Sequence, residues 1–270
     1  MRKLSNFSGE TFPGAAPFGP RAGRVTLVGA GPGDPELLTV KGYLALKAAD
    51  VVFFDDLVSP EILDILPEGA RCVYVGKPYQ SAGISQADIV GQLIAAARGG
   101  HRVVRLKGGD PMVFGRSGEE LEGLQAAGIS VDVIPGITAA TGAAASTRIT
   151  LTHRDYAAQV SFVTTARRDG GVADVNGLAG VGRTLVIYMG IARASALSEA
   201  LQGDGVAASW PVAIVENATR SNERVIVTTV AGLPSAIAEH CVRSPALFIV
   251  GEVVKTYAPA RAFAEDTVHG

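Results

Sequence analysis

Four loops of the 270-residue chain carry residue types that could do chemistry. The first is Gly29-Ala-Gly-Pro-Gly-Asp-Pro35, directly after the β-rich run Val25-Thr-Leu-Val. It has the outline of the G-x-G-x-x-G loop that cradles a dinucleotide's diphosphate, but the details differ. The third glycine position holds Asp34, Pro32 lacks an N–H, and an acid at a helix entrance repels phosphate. A loop of this kind suits a nucleoside without phosphates, S-adenosylmethionine with its cationic sulfonium being one. Asp55, ending the second strand-like run, matches the ribose-binding acid of a dinucleotide fold, so NAD stays open on these residues. The second loop, Lys107 to Glu119, offers Gly108 and Gly109 for close backbone approach and Asp110 as an acceptor for hydroxyls or a cation. The third, Pro135-Gly-Ile-Thr-Ala139, is a glycine turn into a small-residue helix. The fourth, Leu151-Thr-His-Arg-Asp155, could bind an anion or cap a helix.

These loops need strands and helices to hold them. Strand-like runs cover residues 25–29, 50–54, 71–75, 101–106 and 129–134, with helical patterns at 35–49, 85–98 and 117–127 between them. Asp34 and Pro35 suit a helix start, and Ser117 with Glu120 reads as a capping box. Alternating strands and helices imply a parallel sheet, whose ligands bind beyond the carboxyl ends of the strands. The glycine- and alanine-rich stretch 136–146 reads as a tightly packed helix. A second series of strands at 159–163, 184–188, 211–215, 224–227 and 246–250 has shorter spacing, which implies mixed parallel and antiparallel pairing. The expected division is a flexible arm over 1–23, an α/β domain over 24–150, a second over 151–257 and a tail over 258–270.

Composition narrows the classes. Hydrophobic residues make up 47% and charged residues 19%, which excludes a disordered chain. A net charge of −2 advertises no nucleic-acid surface, and no apolar run is long enough to span a membrane. Cys72 and Cys241 stand alone, which argues against a disulfide scaffold and a cysteine zinc site. Residues 1–23 lack the continuous apolar stretch of a signal peptide, so the expected compartment is the cytoplasm.

Gly29-Ala-Gly-Pro-Gly-Asp-Pro, Leu106-Lys-Gly-Gly-Asp-Pro, Val113-Phe-Gly-Arg, Ile134-Pro-Gly-Ile-Thr-Ala, Leu151-Thr-His-Arg-Asp and Tyr188-Met-Gly occur in that order. Together they resemble the signature loops of uroporphyrinogen-III C-methyltransferases, members of the tetrapyrrole methylase superfamily. The resemblance runs from about Arg24 to Val254. It implies two α/β domains of the tetrapyrrole methylase type with the active site in the cleft between them. It also implies a homodimer that moves two methyl groups from S-adenosylmethionine onto uroporphyrinogen III, giving precorrin-2 and S-adenosylhomocysteine without a metal. Precorrin-2 feeds siroheme, cobalamin and, in some organisms, heme d1.

By the same resemblance, cofactor contacts fall on Pro32, Gly108, Gly109, Asp110, Val113, Thr138, Ala139, Met189, Ala218 and Ala246. Asp55 and Lys77 match positions assigned as proton acceptor and donor, with Glu119 a rival base. A substrate with eight carboxylates calls for cations, and Arg116 and Arg154 are the leading clamps because guanidinium grips carboxylate through two parallel bonds. Arg105, Lys107, Arg148 and His153 are weaker candidates. Three departures from the pattern stand out: Asp56 where many relatives have arginine, Pro78-Tyr-Gln80 after Lys77, and Thr165-Ala166 for a Gly-His pair. The sequence carries no dehydrogenase segment ahead of these motifs, so a fused siroheme synthase is not expected. Another precorrin or cobalt-precorrin C-methyltransferase, or a methylation-incompetent tetrapyrrole or cofactor binder, stays open.

Overall fold

The computed structural model describes residues 23–76, 84–165 and 174–257. The first half forms a five-stranded parallel sheet ordered β3-β2-β4-β1-β5. Its strands are β1 (Arg24–Gly29), β2 (Val51–Phe54), β3 (Arg71–Tyr74), β4 (Arg102–Lys107) and β5 (Val131–Ile134). Helices α1 (Val40–Lys47) and α2 (Pro60–Leu63) cover one face, and α3 (Gln86–Arg98) and α4 (Ser117–Ala126) the other. Strands covered on both faces must be apolar on both. In β1, Val25 and Leu27 pack under α3 and α4, whereas Val28 packs under α1 and α2.

The helix starts differ from the sequence reading in two places. Asp34 accepts the Glu36 N–H at 2.8 Å as expected, but only a 3₁₀ turn (Pro35–Leu37) follows. The α-helix restarts with Thr39 as its cap. The expected Ser117–Glu120 capping box does not form. Ser117 already lies inside the helix, its hydroxyl donating to the Pro111 carbonyl, and the Glu120 carboxylate binds two buried cations on β4. The box forms at Ser85 and Asp88 on α3 instead, where the acid has only the helix end to bind. The short helix α2 went unread because its pattern is one turn long.

The second sheet, ordered β6-β7-β10-β8-β9, is mixed as expected. It contains β6 (Ala157–Thr164), β7 (Gly182–Tyr188), β8 (Pro211–Glu216), β9 (Arg224–Thr229) and β10 (Ala246–Val250). Only β6 and β7 pair in parallel. Helices α6 (Ala194–Gly203) and α7 (Leu233–Glu239) cover one face. The other face takes α5 (Ala139–Thr147), which follows the last strand of the first sheet. Ala140 and Ala143 of α5 are fully buried against Val186, Ala213 and Ile249. Small side chains let this helix lie close to the sheet, so α5 joins the two halves. Among the described residues no helix is long and apolar enough to cross a membrane. Residues 1–22 and 258–270 lie outside the described residues.

At the amino edge of the first sheet, the Asp50 carboxylate takes three bonds from the Arg102 side chain and one from its backbone N–H. These bonds hold the Asp50 carboxyl down at about 2. A depressed carboxylate pKa stabilises the fold above pH 4 and loses that contribution as pH falls through 2. The pair is partly exposed, so Asp50→Asn should cost about 0.5–1 kcal/mol at pH 7. Urea denaturation should show the gap from the unsubstituted protein closing between pH 4 and 2; a gap independent of pH would disprove the assignment.

Candidate functional site

The carboxyl edge of the first sheet is where three chain segments meet at backbone distance. The Gly31 N–H donates to the Gly109 carbonyl at 3.1 Å, and the Gly109 N–H returns a bond to Gly31 at 2.7 Å. A Cβ on Gly29 would stand 2.5 Å from the Gly136 Cα, and one on Gly136 would stand 2.3 Å from the Gly109 oxygen. Only glycine fits either place. Asp110 locks the arrangement, accepting the Gly136 N–H at 2.9 Å and the Met112 N–H at 2.8 Å. Gly108 lies against Leu57, so the loop after β2 joins the same edge.

The second sheet presents its own edge to these loops. Antiparallel pairing sets Leu247 opposite Tyr188, which brings Ala246 beside Met189. Asn217, just after β8, donates to the Pro245 carbonyl at 2.9 Å and places Ala218 at the same end. The Tyr188 hydroxyl shares a 2.7 Å hydrogen bond with Thr138 and accepts the Ala140 N–H at 3.0 Å. Burial pushes this phenol's pKa up, with the two bonds opposing. Phe114, on the long loop, lies 5.0 Å from the Tyr188 ring. Met189 and Phe114 both have positive φ, uncommon for large side chains, and both are partly exposed here. Gly190 makes room for Phe248, since a Cβ there would come within 2.4 Å of its ring. The expected contacts Gly108, Gly109, Asp110, Val113, Thr138, Ala139, Met189, Ala218 and Ala246 lie on loop ends joined through the Gly31–Gly109, Thr138–Tyr188 and Asn217–Pro245 contacts, and Pro32 packs on Gly142 of α5.

A clasp from the second half, absent from the sequence reading, closes this arrangement. Thr219 accepts the Asp34 N–H at 3.1 Å, and Arg220 crosses Gly33 to donate to the Leu57 carbonyl at 2.9 Å. Glu223 accepts from the Thr219 N–H and the Ser146 hydroxyl, both at 2.6 Å. Positive φ at Asn217 and Thr219 makes the turn tight enough for this. The string Glu216-Asn-Ala-Thr carries the expected contact Ala218, but nothing in Thr219-Arg-Ser-Asn-Glu223 says that its side chains bind the first half.

The charges are arranged differently from the sequence reading. Arg105 is buried and donates to Asp55 at 2.7 Å, to Glu120 at 3.1 Å and to the Leu106 carbonyl at 2.8 Å. Lys107 is buried on the other Glu120 oxygen at 2.7 Å. Neither is available as a substrate clamp, which corrects two weaker candidates. Arg116 meets Glu119 through two bonds, at 2.8 and 2.7 Å, so the leading clamp and the rival base occupy each other. This pairing holds the Arg116 pKa above the ordinary arginine value. Arg154 lies in the turn before β6, at the Gly182 end of β7, and strand length separates it by roughly 23 Å from the Tyr188 end. The two arginines therefore do not converge within one chain. Arg148 ends α5 with positive φ, and His153 accepts the Asp155 N–H and stacks on Tyr156.

Two of the departures have structural partners. Asp56 accepts the Tyr74 hydroxyl at 2.6 Å, which pushes that phenol up to about 12. The Thr165 hydroxyl donates to the Met189 carbonyl at 2.5 Å and holds the Tyr188–Gly190 turn. Lys77, Pro78, Tyr79, Gln80 and Ala166 lie outside the described residues.

Two α/β halves whose loop edges meet through glycine and Tyr188 contacts define a two-domain protein of the α/β class. The chain belongs to the tetrapyrrole (corrin/porphyrin) methylases, whose family model matches residues 24–234. It is 50% identical over 236 residues to a siroheme synthase of Chromobacterium violaceum, covering 87% of this chain and 50% of that protein. A siroheme synthase of Pseudomonas fluorescens is 49% identical over 243 residues, covering 89% and 52%. The chain thus spans about half the length of the curated relatives it matches. Among solved structures, a uroporphyrin-III C-methyltransferase of Thermus thermophilus complexed with S-adenosylhomocysteine is 41% identical, with a TM-score of 0.75 over 88% of this chain and 96% of that one. A cobalt precorrin-4 methyltransferase is 29% identical with a TM-score of 0.76, covering 86% and 96%. The two-domain fold expected from the sequence is the fold of these neighbours.

The glycine contact yields a paired test. Gly136→Ala must displace the Gly109 carbonyl and should cost about 1–3 kcal/mol of stability together with cofactor affinity. Gly118→Ala, in the first turn of α4 with no atom in reach, should leave stability unchanged or raise it by up to about 1 kcal/mol. Denaturant titration with S-adenosylhomocysteine calorimetry measures both. Equal effects at the two positions would refute the packing account.

Proposed function

We propose that the chain is an S-adenosylmethionine-dependent C-methyltransferase that converts uroporphyrinogen III to precorrin-2 by two methyl transfers. The observation that carries this reading is the loop junction itself, where glycine loops meet the Tyr188–Met189 and Ala218 segments while the Asp34 carboxylate caps a 3₁₀ turn beside them. With an acid beside the glycine loop and no α-helix starting there, the site suits a phosphate-free nucleoside better than NAD. Identity favours uroporphyrinogen III over a later corrin precursor, at 41% against 29% for the two kinds of solved neighbour. The siroheme synthase names of the curated relatives support it too, since precorrin-2 is a siroheme precursor.

Pro32, the Gly108-Gly109-Asp110 loop, Val113, Thr138, Ala139, Met189, Ala218 and Ala246 would hold the cofactor, mostly through backbone and small or apolar side chains, as a neutral adenosine needs. When bound, S-adenosylmethionine supplies a methyl carbon already activated by its sulfonium. The protein's task is to hold the pyrrole carbon in line with it and exclude water. Asp55, at the carboxyl end of β2 and partly exposed, accepts the proton released as the methylated ring rearranges, with Lys77 proposed as donor and Glu119 the competing base. The Arg116–Glu119 pair is exposed, so a substrate carboxylate can take Glu119's place on the fork at little cost.

Methyl transfer from labelled cofactor should modify uroporphyrinogen III twice. Label appearing only on precorrins would move the assignment to another C-methyltransferase, and binding without transfer would make the protein a carrier. Calorimetry should show S-adenosylhomocysteine binding and little affinity for NAD; the opposite pattern would reverse the cofactor assignment. We also propose a homodimer, so light scattering at micromolar concentration should exceed the 27.8 kDa chain mass, and a value equal to it would reject the dimer.

A further inference from the structure

Four charged side chains at the carboxyl end of β4 form one chain of contacts: Asp55, Arg105, Glu120 and Lys107. Glu120 has no exposed side-chain surface, Arg105 and Lys107 have 5% each, and Asp55 has 24%. Asp55 is thus the network's outlet toward the cleft. Burying such a set brings little net stability, because desolvation offsets the attraction and apolar side chains of similar volume would pack as well. What the charges supply is orientation. Arg105 donates to Asp55 through Nη2 while Nε is fixed by Glu120 and Nη1 by the Leu106 carbonyl, so its planar fork has one direction left for Asp55. The Leu57 N–H takes the other Asp55 oxygen at 3.2 Å.

We propose that Glu120 and Arg105 are positioning residues for methyl transfer, aiming the Asp55 carboxylate and setting its electrostatic surroundings. This rests on the reading of Asp55 as proton acceptor. The charge balance gives Glu120 a specific part. With Glu120 ionised, the two β4 cations present a net single positive charge to Asp55. Without it they present two, and the carboxylate becomes a weaker base. Burial and the Arg105 cation already push the Lys107 ammonium below the ordinary lysine range, with Glu120 opposing, so both cations respond to this one carboxylate. Among the described residues, the other titratable groups beside Asp55 are Asp56 and Tyr74, bonded to each other on the β2 and β3 side, and neither supplies positive charge; Lys77 lies outside the described residues.

The test uses Glu120→Gln, close to isosteric, and Arg105→Lys, which keeps the charge but loses the fork. Each should lower kcat for uroporphyrinogen methylation about 10- to 100-fold, with S-adenosylhomocysteine affinity within roughly twofold. Glu120→Gln should also move the acid limb of the kcat profile to lower pH, since added positive charge favours the ionised carboxylate. In an Asp55→Asn background neither change should cost more than about twofold further, because the residue they act through is gone. Losses that add fully to Asp55→Asn, unchanged kcat in both variants, or lost S-adenosylhomocysteine binding in both would overturn the proposal. Full activity in Asp55→Asn alone would instead defeat the proton-acceptor reading, a result distinct from any outcome in the Glu120 and Arg105 variants.

Discussion

The close approach of Gly29, Gly109 and Gly136 is the constraint on which the rest of the site depends. Three separate strands end there, and their following loops turn away in three directions from contacts too short for any side chain. The paired hydrogen bonds between Gly31 and Gly109 then stitch the first two loops together. Asp110 ties the third to them through the Gly136 N–H. A side chain at Gly29 or Gly136 would push the loops apart, and with them the segments that face the second sheet, whereas Gly109 is held to glycine by its positive φ. The glycines thus exchange conformational freedom for proximity, which a sheet edge alone does not provide.

From that point the architecture divides its work. The first half supplies rigid loop ends on parallel strands, and the second supplies a facing edge whose strands run in mixed directions. Helix α5 connects them covalently and by packing, its alanines seated on the second sheet while the Tyr188 hydroxyl binds its first turn. The Asn217–Glu223 turn closes the arrangement through Thr219, Arg220 and Glu223, which bind Asp34, Leu57 and Ser146 of α5. Cofactor loop, Asp55 loop and second-sheet edge are therefore linked by hydrogen bonds rather than apposed by packing alone. Such links favour one cleft geometry, as a reaction limited by alignment requires.

One departure from the family pattern, Asp56, lies beside Asp55, and another, Thr165, holds the Met189 turn on the second sheet. Asp56 with Tyr74 puts a carboxylate hydrogen-bonded to a phenol where many relatives have an arginine. Arg105 and Lys107, close in space, are neutralised inside the protein by Asp55 and Glu120. Among the described residues on this side, Arg116 is the arginine whose fork lies at the surface beside the long loop.

The order of elements, the parallel character of the first sheet and the loops that matter were all legible in the sequence. Buried strands show as continuous apolar runs, and glycines before helix starts mark backbone contacts. Family resemblance singled out small and apolar positions on these loops, and tertiary structure joined the loop ends through the glycine and Tyr188 contacts. Side-chain pairing was not legible. Ser117 and Glu120 have the spacing of a capping box, yet Glu120 binds Arg105 and Lys107, because a buried carboxylate gains more from two buried cations than from one backbone N–H. Arg116 and Arg154 both read as carboxylate clamps, yet strand register sends one to each end of the second sheet's parallel pair. The Thr219–Arg220 clasp directly follows the expected contact Ala218, yet its partners Asp34 and Leu57 were not legible. Sequence determined which backbone could come close to a ligand, since that depends on residue type at one position. Tertiary structure decided which charges meet, since that depends on the distance between positions far apart in the chain.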